Sequence, residues 1–343
     1  MATHLVTGGS GFLGNIIARR LFQRGENVRI LDIWRDPLSL KEIEFFNCDI
    51  RDRSSVAKTM NNVDYVHHTA ALVPITKSGK KFWEVNVEGS KIVAEEAVKM
   101  HVKCFIYMSS STIFGIPQSC PITDETPTRP IETYGRTKLA GELAVKEICY
   151  RNGLPLIIVR PRTIIGEGRL GIFQILFDWI KDGRNVYVIG SGNVKFQSIH
   201  AIDLMDFYML ALDKGKPGIY NVGTDGFKTL RETLENLISY AGTNSKVISL
   251  PIGLTINTLK FLDFLNLSPL VPWHYLSYHK DFYFDVEPLL KLGWKPKYSN
   301  DAMFKESYDW YINNYNNSLN SESGSPHRNK VKEKLLWLIK QFS

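Results

Sequence analysis

Tyr134 and Lys138 stand four residues apart in the stretch Glu132-Thr-Tyr-Gly-Arg-Thr-Lys-Leu-Ala-Gly-Glu142. On a helix that spacing puts both side chains on one face, one above the other. A free tyrosine, with a pKa of about 10, is a poor base at neutral pH. A neighbouring ammonium favours the phenolate and lowers that pKa. The pair then works as a proton shuttle. The spacing alone is weak, because an exposed aromatic beside a solvated lysine produces it by chance. Its weight comes from two features that suit the same chemistry: a serine cluster, Ser109-Ser110-Ser111, and a glycine loop near the N-terminus.

That loop is Gly8-Gly-Ser-Gly11-Phe-Leu-Gly14. Gly8 permits a tight turn, Gly11 a close backbone approach to a pyrophosphate, and Gly14 close packing of the following helix on the sheet. The helix N-terminus offers free N–H groups and the positive end of its dipole to phosphates. Asp32 closes the second predicted strand, about eighteen positions past Gly14. A carboxylate there accepts hydrogen bonds from the adenosine ribose and repels a 2′-phosphate, so NAD is expected over NADP. Arg35 is the cation near enough to soften that repulsion. Asp49, after a third short strand, reads either as a contact to the adenine edge or as a turn or helix-cap aspartate.

These residues need a scaffold that gathers them at one edge. Short apolar runs at 4–7, 28–32, 65–70, 104–109 and 156–160 read as strands. Helical periodicity at 15–24, 85–100 and 134–152 separates them, the signature of a parallel sheet covered by helices. The fold class is therefore α/β, a Rossmann-type doubly wound parallel sheet with a smaller C-terminal substrate-binding region. Past Pro161 the pattern is irregular. A helix is expected within 166–184 and again over 230–240, a strand over 220–223, and a segment over 199–211 that returns to the sheet. The expected division is 1–165, with 190–225 returning, for the nucleotide; 166–189 and 226–315 for the substrate; a linker over 316–330; and an amphipathic helix over 331–343.

The chain has 343 residues, 44% hydrophobic and 22% charged, with a formal net charge of +7. That balance suits a soluble globular protein with acidic ligands such as phosphates. No basic stripe interleaved with aromatics argues for nucleic acid. Cys48, Cys104, Cys120 and Cys149 lack the spacing of a zinc site or disulfide frame, and no cluster with metal-ligand spacing appears. With no signal peptide and no long apolar run, a cytoplasmic location is expected.

The glycine loop, Asp32, Tyr134 and Lys138 together resemble the extended short-chain dehydrogenase/reductase superfamily, in its NAD-dependent epimerase/dehydratase branch. Val66-His-His-Thr-Ala-Ala71, Asn86-Val-Glu-Gly89, Ser109-Ser-Ser-Thr-Ile-Phe-Gly115 and Arg160-Pro161 match it in order. So do Ile199-His-Ala-Ile-Asp203, Tyr220-Asn-Val-Gly223 and Leu292-Gly-Trp-Lys-Pro296. The resemblance implies NAD contacts from Gly8, Gly11, Phe12, Leu13, Gly14, Asp32, Asp49, Ile50, Ala70 and Asn86, with Tyr134 and Lys138 at the nicotinamide end. It implies Ser110, Tyr134 and Lys138 as the catalytic set, with Ser110 holding the substrate oxygen and Lys138 the nicotinamide ribose. The chemistry implied is removal of a hydroxyl proton by Tyr134 while hydride leaves the same carbon.

Departures narrow this picture. The Asp-Glu pair that sugar 4,6-dehydratases carry after the catalytic hydroxyl is Ser111 and Thr112 here, which argues against dehydration. Thr163 stands where many nucleotide-sugar epimerases have asparagine, and Phe196 where they have arginine, with Lys195 beside it. Thr163, Lys195 and His200 are the candidate substrate contacts, and Arg162 and Arg169 are further cations for a diphosphate. Three readings stay open. The first is an epimerase or ketoreductase acting on a nucleotide- or lipid-diphosphate-linked sugar. The second is a 3β-hydroxysteroid or sterol dehydrogenase-like oxidoreductase, the third an NAD-binding scaffold without turnover. The family also implies a homodimer, formed through the helix that carries Leu139, Leu143 and Ile148. In the tail, Val331, Leu335, Leu338, Ile339 and Phe342 share one face among lysines, which fits either peripheral membrane contact or a packing helix.

Overall fold

Runs such as Cys104–Met108 and Leu156–Pro161, apolar but for Arg160, are buried at consecutive positions, the pattern of strands covered on both faces. The computed structural model describes residues 1–37, 39–73, 79–169, 173–265, 268, 270 and 272–314. Its first elements are β1 (Thr3–Thr7), α1 (Phe12–Gln23), β2 (Asn27–Asp32), β3 (Glu44–Asn47), α2 (Arg53–Thr59) and β4 (Tyr65–His68). Next come α3 (Lys81–Trp83), a π-helical turn (Glu84–Gly89), α4 (Ser90–Lys99) and β5 (Cys104–Met108). A 3₁₀ turn (Ser111–Phe114), α5 (Thr133–Arg151) and β6 (Leu156–Pro161) follow. Then come β7 (Thr163–Ile165), α6 (Phe173–Lys181), β8 (Val186–Ile189), β9 (Ser198–His200), α7 (Ala201–Lys214) and β10 (Gly218–Val222). The last are α8 (Leu230–Ala241), β11 (Val247–Leu250), α9 (Ile252–Phe264), α10 (Pro272–Ser277), α11 (Glu287–Lys291) and α12 (Asn300–Asn313).

The chain divides into two units. The first comprises 1–113, 133–161 and 205–221; the second comprises 114–132, 162–204 and the chain from 222 onward. In the first unit a seven-stranded sheet runs in the order β10-β6-β5-β4-β1-β2-β3. β1 pairs in parallel with both β2 and β4, with Thr7 opposite Leu31 on one side and His68 on the other. The strand order reverses between β1 and β4, the switch point at which such sheets bind ligands beyond their carboxyl ends. Leu5, Val66, Phe105 and Ile158 from the strands pack with Val93, Ala94, Ala97, Val145 and Cys149 from α4 and α5.

In the second unit, β7 pairs with β9 and β8 with β11, both in parallel. Its core joins Phe177 and Ile180 of α6, Leu234 and Leu237 of α8, and Met303 and Phe304 of α12.

Several boundaries differ from the sequence reading. The return to the sheet spans 205–221, narrower than 190–225. The reason is pairing: β9 bonds to β7, which keeps residues up to 204 in the second unit. Residues 114–132 also leave the nucleotide region, because Ile122 bridges Phe284 and its N–H donates to the Tyr283 carbonyl at 2.8 Å. β4 stops at His68 rather than running to 70, as the Thr69 hydroxyl turns back to the Thr7 carbonyl. The helix expected over 85–100 carries a π-helical turn, an insertion frequent at functional sites. The four cysteines are free. Among the described residues no helix is long and apolar enough to cross a membrane, and no group of side chains could hold a metal ion. The linker and the amphipathic segment over 331–343 lie outside the described residues.

Candidate active site

The first unit gathers the expected nucleotide residues around the end of β1. Gly11, extended at φ −72° and ψ 170°, caps α1 with no side-chain bond, and the first turn holds no acidic residue. Phe12 and Leu13 form that first turn, so its backbone and dipole suit an anion, with no acidic side chain in the turn to repel one. A Cβ on Gly14 would stand 2.2 Å from the Gly8 carbonyl oxygen, so only glycine lets α1 come this close to the loop. Thr69 donates to the Thr7 carbonyl and brings Ala70 beside it.

Asp32, at the end of β2, accepts from the Ser10 N–H at 3.0 Å and the Ile33 N–H at 2.7 Å. Burial holds its carboxyl above the ordinary range, while those N–H groups pull it back. Arg35 is turned away to the carbonyls of Leu40, Lys41 and Ile43 and lies over the Phe45 ring at 5.5 Å. Asp32, the glycine loop and the side-chain-free N-terminus of α1 therefore fit a dinucleotide with an unsubstituted ribose.

Three other expected contacts have protein partners of their own. Asp49 is gripped by Arg51, at 2.7 Å, which holds its carboxyl below the usual range. The helix cap is Asp52 instead, bonded to the N–H groups of Ser54 and Ser55. Ile50 is buried, with its side chain under Gly89. Asn86, buried in the π-helical turn, accepts from the Leu72 N–H at 2.8 Å and donates to the Leu72 carbonyl and to Thr137. It braces the strap after β4 against α5.

The proposed chemical groups lie at the end of β5 and on α5. Tyr134 sits in the first turn of α5, half-buried, with Phe82 edge-on to its ring at 6.4 Å. Lys138, one turn later, is buried; its ammonium donates to the Met108 carbonyl at 2.6 Å and lies 4.6 Å over the Tyr107 ring. Burial pulls this ammonium down to about 8, and the Glu142 carboxylate opposes that. Two residues past Met108, the Ser110 hydroxyl accepts from the Thr112 N–H at 3.2 Å and hydroxyl at 3.0 Å. Ser109 is structural: its hydroxyl donates to Glu142, which also binds Arg160. Ser111 is buried too. Sequence reasoning gave Glu142 no role, although its place one turn past Lys138 was a signal.

In the second unit the three substrate candidates separate. Thr163 on β7 is half-buried and bonded to the Tyr278 phenol, which burial pushes up to about 12. Lys195 is exposed, with its N–H on Asp281 at 2.7 Å and its ammonium 5.1 Å over the Tyr283 ring. Arg162 is buried rather than solvated: its guanidinium lies 4.0 Å over Phe282, Nε donates to the Gln197 carbonyl, and burial pulls it down to about 10. His200 points elsewhere, stacked on Tyr298 at 3.8 Å with Glu306 at 2.8 Å from Nε2. Burial pulls it down to about 4, so it is neutral at pH 7. Phe196, in the place of an arginine, is buried among Tyr278 and Phe304.

Comparison with known proteins gives the family and the fold of the chain. Residues 4–223 match the family model described as NAD dependent epimerase/dehydratase family. An uncharacterized protein, y4nG, of Sinorhizobium fredii is 42% identical over 98% of this chain and 85% of its own length. UDP-arabinose 4-epimerase 1 of Arabidopsis thaliana is 32% identical over 73% of this chain and 70% of its own. Among solved structures, the UDP-glucuronic acid 4-epimerase of Bacillus cereus in complex with NAD superposes with a TM-score of 0.74. It is 19% identical and covers 91% of this chain and 99% of its own, a likeness of fold.

Proposed function

The chain belongs to the NAD dependent epimerase/dehydratase family, and from that premise we propose that it is an epimerase of a nucleoside-diphosphate sugar. With the family come the cofactor, NAD, and the class, an enzyme of the extended short-chain dehydrogenase type. Bound NAD supplies a hydride acceptor that gives the hydride back. Tyr134 takes the proton of the sugar hydroxyl and returns it to that same oxygen. The configuration inverts because the hydride, not the proton, comes back on the opposite face of the carbon. Lys138 keeps the phenol acidic enough to do so and binds the nicotinamide ribose. Ser110 holds the substrate oxygen.

The observation that supports this reading most is the buried Lys138 ammonium, fixed at the end of β5 two residues before Ser110 and one helical turn from Tyr134. Dehydration is disfavoured, because Ser111 and Thr112 stand where an acid–base pair would be needed. Thr163 and Lys195 are the proposed substrate contacts, with Arg162 as an added cation; His200, buried against Tyr298 and Glu306, is not one of them. Dimerisation through α5 is proposed from Leu143, which is 54% exposed there, and light scattering at micromolar concentration tests it.

The deciding experiment incubates the full chain with catalytic NAD and, separately, UDP-sugars and a lipid-diphosphate sugar, and with excess NAD and a hydroxysteroid. NMR and mass spectrometry then follow the products. Interconversion of a UDP-sugar with an isomer of unchanged mass, without net NADH, is expected. The same conversion confined to the lipid-linked sugar would move the substrate class. Net NADH with a two-hydrogen loss from the steroid would replace epimerase with dehydrogenase.

A further inference from the structure

α5 touches the end of β5 twice, through side chains one turn apart. The Lys138 ammonium binds the carbonyl of Met108, and the Glu142 carboxylate binds the hydroxyl of the next residue, Ser109. Ser110 is the residue after that. Glu142 is 1% exposed, and both its oxygens meet the guanidinium of Arg160, itself 6% exposed at the end of β6. The Ser109 N–H donates to the Val159 carbonyl at 2.7 Å, which joins the ends of β5 and β6 just below this cluster. One buried carboxylate thus ties together the three elements whose ends carry or flank Tyr134, Lys138 and Ser110.

We propose that Glu142 is a positioning residue: braced by Arg160, it holds the Lys138 ammonium in its charged form and registers α5 on the β5 end that presents Ser110. The proposal rests on the reading of Tyr134, Lys138 and Ser110 as the catalytic set. A lysine enclosed as Lys138 is loses its proton readily, because water no longer solvates the charge. The groups that face it are the Tyr107 ring on β5, His68 on β4 and Glu142 on α5, with Arg160 of β6 on the far side of the Glu142 carboxylate as its partner. Burial keeps the His68 imidazole and the Tyr107 phenol neutral at pH 7. The Arg160 guanidinium meets the Glu142 carboxylate. Glu142 is the anion in that set.

The test has two arms in the full-length protein. In the first, lysine ¹⁵N NMR follows the titration of the Lys138 ammonium, assigned with Lys138→Met. Glu142→Gln keeps the shape and drops the charge, and should move that titration down by about one pH unit or more. Glu142→Asp keeps the charge and should restore it. An unmoved titration in a folded Glu142→Gln protein overturns the charge-holding role. In the second arm, Ser109→Ala leaves both charges and cuts one tie. It should lower kcat about tenfold or more, with NAD affinity and the Lys138 titration unchanged. Unaltered kcat overturns the registering role, and this arm decides alone if Glu142→Gln fails to fold. A Lys138 titration that shifts while the alkaline limb of kcat/KM stays put would sink the catalytic reading and leave the positioning role intact.

Discussion

Tyr134 and Lys138 show how much a single pair of side chains can carry. The phenol is half-buried at the first turn of α5, and the ammonium one turn later is buried. Tyr134→Phe deletes only the phenol oxygen, the proposed proton carrier. Turnover should fall about 10²–10⁴-fold, the usual worth of general acid–base catalysis, while calorimetry finds NAD affinity unchanged. Near-normal turnover in that variant would show that a different base serves. The four-residue spacing made this pair legible in the sequence. The place of Glu142 one turn past Lys138 was visible too, but its role was not, because that depends on Arg160, eighteen residues away and brought to it by strand pairing.

At the scale of elements, the close approach of α5 to the π-helical turn decides the arrangement. A Cβ on Gly141 would stand 2.2 Å from the Asn86 carbonyl oxygen, a backbone atom with little room to yield. Gly141→Ala should therefore force the two elements apart and cost about 1–3 kcal/mol in urea unfolding, as overpacking does. Gly253→Ala in α9, where nothing lies within 4 Å, is the control. It should be neutral or stabilise by about 0.4–1 kcal/mol. Equal effects of the two substitutions would mean that helix propensity, and not contact, governs Gly141. Asn86 stands in the same seam, and its bonds to Leu72 and Thr137 assign it to bracing the strap. The family motif pointed to that asparagine; which groups its amide meets required the coordinates.

For the molecule as a whole, buried histidines set an acid limit. His67 bonds to His4 and Tyr208, and His68 to Thr7 and Ser90, all inside the first unit. Burial pulls His67 well below its ordinary 6.5, and His68 down to about 3. Above pH 6.5 both are neutral whether the chain is folded or not, and their environment is fully tolerated. Below it the unfolded chain takes up protons that the folded chain refuses. Stability should then drop by as much as about 1.4 kcal/mol per pH unit for each histidine. Urea unfolding at pH 7.5, 6.5 and 5.5 measures this. A midpoint as high at pH 5.5 as at 7.5 would show that these rings protonate in place.

The sequence by itself determined the sheet, the glycine loop, the acidic end of β2 and the Tyr134–Lys138 pair, because each is a local pattern with a local physical cause. Period and turn residues set the elements, and i,i+4 geometry sets the pair. The family followed from their order along the chain. The tertiary structure alone decided what lies between those landmarks. It sent residues 114–132 to the second unit through the Ile122–Phe284 bridge, buried Arg162 against Phe282, and turned His200 to Glu306 and Tyr298. These outcomes depend on contacts between residues tens to more than a hundred positions apart. Such contacts are fixed by packing, where the burial of a charge or a ring is settled by all its neighbours at once, and no spacing in the sequence records it.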